Sequence, residues 1–175
     1  MKIKTHKKNL KSWLAPALLA ICAALFVRYF LVTPLEVTGT SMLPQIHDHD
    51  ELLIKHFGQI KRFDIITFKL PTGETYIKRV IGLPGDTLEY KNNKLYVDHR
   101  YIPEEFLGTN FQNSTADFKL KELLGVEKVP KDCYFVLGDN RQISRDSRSF
   151  GMVQSSWVSG KALGIYWPLD HIKIF

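Results

Sequence analysis

From Trp13 to Val32 the chain is apolar apart from Arg28. Twenty helical residues at about 1.5 Å each span roughly 30 Å, the thickness of a bilayer's hydrocarbon core. The pattern therefore predicts one transmembrane helix over residues 12–32, with Trp13, Tyr29 and Phe30 as interfacial aromatics and Arg28 close enough to the end to snorkel. Past Thr33 the period changes to two. Leu35–Val37 alternates up to Gly39, and Glu51–Lys55, Asp64–Lys69 and Thr75–Ile81 read as strands. Thr87–Tyr90 and Leu95–Val97 flank Asn92-Asn93, a pair suited to left-handed backbone angles, which predicts a hairpin. Tyr134–Leu137 reads as a buried strand, and Val158–Trp167 as a last one, with Gly160 and Gly164 marking a bend or bulge. Turn signals recur roughly every 8–12 residues, as in antiparallel sandwiches and barrels. Residues 104–128 break the pattern. They are polar, with a helical turn or two within Lys119–Leu124, and are expected to form a variable surface excursion; Asn113-Ser114-Thr115 within them matches a glycosylation sequon.

Composition and charge sharpen this picture. The 175 residues are 45% apolar, ample for one core, and carry a formal net charge of +6. Residues 1–11 hold Lys2, Lys4, Lys7, Lys8 and Lys11 and no acid, which leaves +1 for everything after them. The charge is a tail and not a face of the folded body, so nucleic acid is not an expected partner. A basic tail before an apolar span places the N-terminus in the cytosol and residues 33–175 outside the cytoplasmic membrane. A cleavable secretory leader is the competing reading. Against it, Arg28-Tyr29-Phe30-Leu31-Val32 offers bulky residues where a small-x-small site would stand. The two cysteines, Cys22 in the span and Cys133 in the body, are expected to stay unpaired.

The candidate chemistry begins at Gly39-Thr40-Ser41-Met42-Leu43-Pro44. A serine hydroxyl needs a base to become a nucleophile. None of the six histidines lies in a stretch that looks built to hold it, so a lysine made neutral by desolvation is the alternative base. Lys78 shares its strand face with Tyr76 and Val80, an apolar setting able to depress its pKa; a snorkelling or edge-strand lysine fits the same pattern. The segment Gly138–Arg148 follows an apolar strand and is dense in hydrogen-bonding groups, where Asp146 and Arg148 are able to pair and a serine is able to orient an amine. His47-Asp48-His49-Asp50-Glu51 sets metal-ligand types in a row. No further His or Cys at useful spacing completes a site, so a charged turn is expected, with no metal and no cofactor.

GTSMLP, YIKRVIGLPGD and GDNRQISRDSRSFG together resemble, in order, the signature boxes of type I signal peptidases, the bacterial leader peptidases. The single anchor and compact size are similar to the Gram-positive branch. The resemblance implies a mainly β fold, with a partly open, barrel-like antiparallel catalytic domain behind one N-terminal helix. It implies a Ser/Lys dyad, with Ser41 as nucleophile and Lys78 as general base, cleaving signal peptides from exported preproteins after small-x-small sites. Ser144 would orient Lys78; Asp146 and Arg148 would form a supporting ion pair, with Asp139 and Arg79 shoring up the site. Gly39, Thr40, Ser41 and Met42 would supply oxyanion and substrate contacts, the Ser41 N–H above all. The chain departs from the pattern at Gly39, where some members carry a serine, at Gln45, where threonine is common, and at Phe63, where glycine is common. A non-catalytic or substrate-specialised relative of the same fold stays open at this point.

Overall fold

The structure is a computed structural model that describes residues 11–26, 32–108 and 114–175. The basic tail before Lys11, Arg28 with its neighbours, and Asn113 of the sequon lie outside these residues. Helix α1 covers Lys11–Phe26 and leaves Trp13, Leu14, Leu18, Leu19 and Ile21 exposed. Among the described residues no helix is long and apolar enough to cross a membrane. Val32, expected to end the span, instead opens strand β1 (Val32–Glu36), where it pairs with Lys55.

Eleven further strands follow: β2 (Glu51–Lys55), β3 (Ile65–Lys69), β4 (Thr75–Gly82), β5 (Leu88–Lys91), β6 (Lys94–Val97), β7 (Arg100–Ile102), β8 (Phe118–Lys119), β9 (Cys133–Leu137), β10 (Val153–Gln154), β11 (Val158–Trp167) and β12 (Lys173–Ile174). Helices α2 (Leu120–Leu124) and α3 (Ser147–Phe150) are short. Every pairing is antiparallel. The large sheet runs β1-β2-β11-β3-β4-β9-β10 with β12 added on β11, and the small one runs β7-β6-β5-β8. The large sheet's hydrogen-bonded path is open, ending at β1 and β10. The expected mainly β, antiparallel architecture is what the chain builds.

Period-two alternation sorts the core. Ile65 faces Met42, Ile46, Leu52 and Ile54, whereas its neighbour Ile66 packs with Phe68, Val80 and Val136 on the other side of the sheet. Both faces of β3 are covered, so Ile65–Phe68 is buried throughout. A third cluster, with Leu88, Tyr90, Leu95, Leu120, Phe135 and Leu137, joins the small sheet to the end of the large one.

Asn92 and Asn93 take φ values of 51° and 59°, as the predicted hairpin requires. Asp98 and His99, at 48° and 63°, make a second turn of the same kind into β7, which the sequence pattern did not announce. The stretch expected as a surface excursion is fastened to the body, because Leu107, Thr115 and Leu120 within it are buried. Its helical turn ends at Gly125, whose φ of 72° caps α2.

The bulge expected in the last strand is present. The pairing of β11 with β2 shifts register between Ala162 and Gly164. A Cβ at Gly164 would lie 2.2 Å from the backbone oxygen of Lys173, so only glycine lets β12 close on β11. Gly164→Ala is expected to cost about 1–3 kcal/mol. Thermal unfolding followed by circular dichroism should show Tm falling by several degrees, whereas an unchanged Tm would mean that β12 is not held against β11.

Candidate active site

Ser41 lies in the connection between β1 and β2. That loop is closed at its base by Val37 N–H donating to Asp50 O (2.9 Å) and His49 N–H donating to Val37 O (2.9 Å). Gly39 turns the chain with φ of 97° and donates its N–H to Asp48 Oδ1 at 2.7 Å. One turn of backbone follows, in which Gln45 and Ile46 both donate to Met42 O. Met42, 1% exposed, and Ile46 anchor the turn in the core. The Met42 side chain is thus a peg beneath the loop and is not free to reach a lipid surface.

Lys78 comes from β4, opposite Ile66 of β3. Its Nζ is 2.7 Å from Ser41 Oγ and donates to Ile77 O at 2.9 Å. The side chain is 2% exposed, with the Tyr76 ring 5.4 Å from the amine. Burial lowers the lysine pKa from 10.5 to about 8, against the opposing pull of the Asp146 and Asp139 carboxylates. A substantial neutral fraction therefore exists just above neutral pH, on a residue in the middle of a strand whose main chain cannot shift without breaking its ladder.

The segment after β9 braces this pair from behind. Asn140 N–H donates to Ser41 O (3.0 Å), and its side-chain amide donates to Thr40 O (3.2 Å). Asp139, fully buried, takes Arg79 in a two-pronged ion pair (Nε–Oδ1 2.8 Å, Nη2–Oδ2 2.5 Å). Asp146, equally buried, caps α3, accepts from Gly138 N–H (3.0 Å) and holds Arg148 through Nε and Nη2, each at 2.8 Å. Ser144 departs from expectation. Its Oγ is buried and has no hydrogen-bond partner among the described residues, and the Lys78 amine is aimed at Ser41 Oγ and Ile77 O instead. Ser144 packs on Gly138, where a Cβ would lie 2.1 Å from Ser144 Oγ and 2.5 Å from Ser41 O.

Two residues of this segment were visible in the sequence but given no role there. Asn140 is one. The other is Arg141, 1% exposed, which donates to Gly138 O, Tyr90 Oη, Thr115 Oγ1 and Glu104 Oε1 and so ties the segment to the small sheet and to the 104–128 stretch. Its only signal in the sequence was its place in a polar run after an apolar strand.

Ser41 and Lys78 open into a cleft of about 470 Å³, walled by Leu35–Thr38 on one side, Thr75–Lys78 on the other and Ile143 and Arg145 at one end. Both walls present unpaired strand edge. β1 ends the large sheet, and β9 pairs with β4 only from Arg79 onward. Away from the cleft, His171 reaches Asp50 and His47, so the ligand-type row that the sequence left incomplete gains a third member from the C-terminal segment.

The depressed lysine has a stability consequence with a definite sign. Its folded pKa lies below the unfolded value, so the unfolded chain binds more protons between pH 8 and 10.5, and stability rises with pH across that window. Below pH 8 the buried amine costs roughly 3 kcal/mol. Lys78→Met is therefore expected to raise denaturant-measured stability by about 2–3 kcal/mol at pH 7. The gain should shrink toward zero by pH 10.5; a pH-independent difference would mean that the amine is solvated.

Comparison with known proteins gives the family. The family described as signal peptidase, peptidase S26, matches residues 10–167. The chain is 40% identical to signal peptidase I of Bacillus caldolyticus over 177 residues, 96% of each chain. It is 39% identical to signal peptidase I P of Bacillus subtilis subsp. natto over 98% of this chain and 97% of that one. With signal peptidase IB of Staphylococcus aureus it shares 33% identity over 95% and 94%. Among solved structures, a signal peptidase I from Enterococcus faecalis V583 superposes with a TM-score of 0.55 at 42% identity, covering 59% of this chain and 97% of that one. A serine beside a buried lysine on an antiparallel sheet, with near full-length relatives of one kind, leads to one conclusion: the chain belongs to the signal peptidase family, peptidase S26, and is a serine protease by that membership.

Proposed function

We propose that this protein is a membrane-anchored endopeptidase that removes signal peptides from exported preproteins, using Ser41 as nucleophile and Lys78 as general base. The observation that carries the reading is the 2.7 Å contact between Lys78 Nζ and Ser41 Oγ, made by an amine whose pKa burial has brought to about 8. A neutral amine in that position takes the hydroxyl proton as Oγ attacks the scissile carbonyl. The Ser41 N–H faces the developing oxyanion, and the lysine ammonium then protonates the departing amine. The same lysine, neutral again, activates the water that hydrolyses the acyl-enzyme. Asp139 and Asp146 work through others: each is paired with its own arginine, Arg79 and Arg148, and their remaining pull toward a charged Lys78 is outweighed by burial.

The cleft supports an extended substrate. A peptide laid between the free edges of Leu35–Thr38 and Thr75–Lys78 adds as a strand, and alternate side chains then point the same way. Residues one and three before the cut fall on one face, which suits recognition of small-x-small. A serine at position 39 would offer a further oxyanion donor, but φ of 97° there favours glycine, and the main-chain donor carries that role alone.

The anchor reading rests on the apolar run from Trp13 to Val32, on the lysines before it, and on α1, whose Trp13, Leu14, Leu18 and Leu19 are exposed among the described residues. An anchor there holds Ser41 within roughly 30 Å of the bilayer, where a signal peptide embedded by its apolar core presents its cut site.

In detergent, the purified protein should cut a preprotein at a small-x-small site, mapped by mass spectrometry. kcat/KM should rise with pH through a limb near 8, the value of the Lys78 amine. Ser41→Ala and Lys78→Arg should each lose at least about 1,000-fold, since a guanidinium cannot give up its proton. Uncut preprotein from pH 6 to 10 with folded enzyme would end the catalytic reading. The anchor is tested separately by N-terminal sequencing of membrane-extracted protein. The expected start is the basic tail, and a start after residue 28 would make the span a cleaved leader.

A further inference from the structure

Asp50 is 1% exposed, and two imidazoles from distant parts of the chain converge on its two oxygens. His171, in the turn between β11 and β12, lies 2.9 Å from Oδ1 through Nδ1. His47, three residues before Asp50, has Nδ1 3.8 Å from Oδ2. The two rings sit with centroids 4.6 Å apart and tilted by 31°. One ligand atom from each of the three residues falls within 4.8 Å of the others.

Hydrogen bonding accounts for only part of this arrangement. It explains His171 on Oδ1, and it explains the His47 N–H donated to Oδ2 at 2.7 Å, which fixes the carboxylate. It does not explain the His47 ring, too far from the carboxylate for a hydrogen bond and set beside a second imidazole. Three ligand atoms on a tetrahedral zinc, at about 2.0–2.2 Å from the metal, stand roughly 3.3–3.6 Å apart. The 2.9 and 3.8 Å contacts run to the two different oxygens of Asp50, and one ligand atom from each residue lies within 4.8 Å of the others, somewhat wider than a closed site. The side chains of His47 and His171 are half-exposed, so each ring has room to turn by the roughly 1 Å that closing on one metal takes, and the site has an entry path.

We infer that His47, Asp50 and His171 form a binding site for one divalent zinc-type cation, with the fourth position left to water. Two imidazoles and one carboxylate suit zinc, whereas magnesium and calcium want an all-oxygen shell. The site lies outside the catalytic cleft. Its bond would run from the loop that carries Ser41, closed at Val37 and Asp50, to the segment between β11 and β12, two parts of the chain 121 residues apart. Its effect is therefore on how firmly that loop is held, and no step of peptide cleavage passes through the metal.

The test uses tag-free, full-length protein in detergent, stripped with a chelator and titrated with zinc by calorimetry, and with cobalt(II) as a visible probe of coordination. One equivalent should bind, with the absorption of a four-coordinate cobalt site, and saturating zinc should raise Tm by about 5 °C. His171→Ala and His47→Ala should each weaken zinc binding at least tenfold and remove the Tm shift, while His56→Ala, outside the cluster, should leave both unchanged. Magnesium should produce no shift. No saturable binding, binding undiminished in either cluster variant, or binding lost equally in His56→Ala would overturn the three-ligand site.

Discussion

The candidate site of this protein depends on keeping one amine, that of Lys78, out of water. Lysine in solvent is charged at any physiological pH and useless as a base. Here burial lowers its pKa to about 8 in spite of two carboxylates that favour the charged form. Burial is the larger effect, and each carboxylate also has a partner of its own. Asp139 is held by Arg79 and Asp146 by Arg148, each through two hydrogen bonds, so each pair presents little net charge to its neighbour. Buried ion pairs of this kind add little to stability over an apolar filling, while removal of one partner typically costs about 3–5 kcal/mol. Their value lies in fixing main-chain groups around Gly138 and Asn140 without charging the lysine.

The same segment positions Ser41. Asn140 grips the carbonyls of Thr40 and Ser41 from one side, while Met42 and Ile46 pull the following turn into the core from the other. Gly138 has no room for a Cβ against Ser41 O. The hydroxyl is thus located by backbone contacts and burial, with the lysine arriving from a central strand. In the proposed reaction, positioning of this sort lowers the entropic cost of attack before any proton moves.

Much of this is legible in the amino-acid sequence alone. Strands such as Glu51–Lys55 and Val158–Trp167 announce themselves through alternation, and Asn92-Asn93 through its turn chemistry. Strands β7, β8, β10 and β12 carry no such signal. They are two or three residues long and exist because a longer neighbour offers an edge. Lys78 and Ser41 were legible as residue types in suitable surroundings, but their contact joins a loop to a strand 37 residues later, which periodicity cannot report. Ser144 shows the opposite failure. The sequence suggests an orienting hydroxyl, yet the amine satisfies itself on Ile77 O, and the serine is left packed on Gly138. The convergence of His171 on Asp50 is invisible for the same kind of reason as the Ser41–Lys78 contact, here a separation of 121 residues.

The 104–128 stretch illustrates how a polar, irregular segment becomes part of a site. Glu104 neutralises the buried Arg141, and the Phe106 ring lies 4.0 Å from the Arg79 guanidinium while its carbonyl takes the Gln45 side chain. Phe63 completes this enclosure. It holds a φ of 70°, costly for a bulky side chain by about 1–3 kcal/mol. In return its carbonyl accepts Arg79 Nη1 at 2.9 Å, its N–H donates to Val80 O, and its ring packs on Phe106. A glycine at that position would remove the strain and with it one wall around Arg79. A strained aromatic and an irregular loop thus serve one end: they keep water from the arginine that neutralises Asp139, and so from the carboxylate whose unpaired charge would act on Lys78.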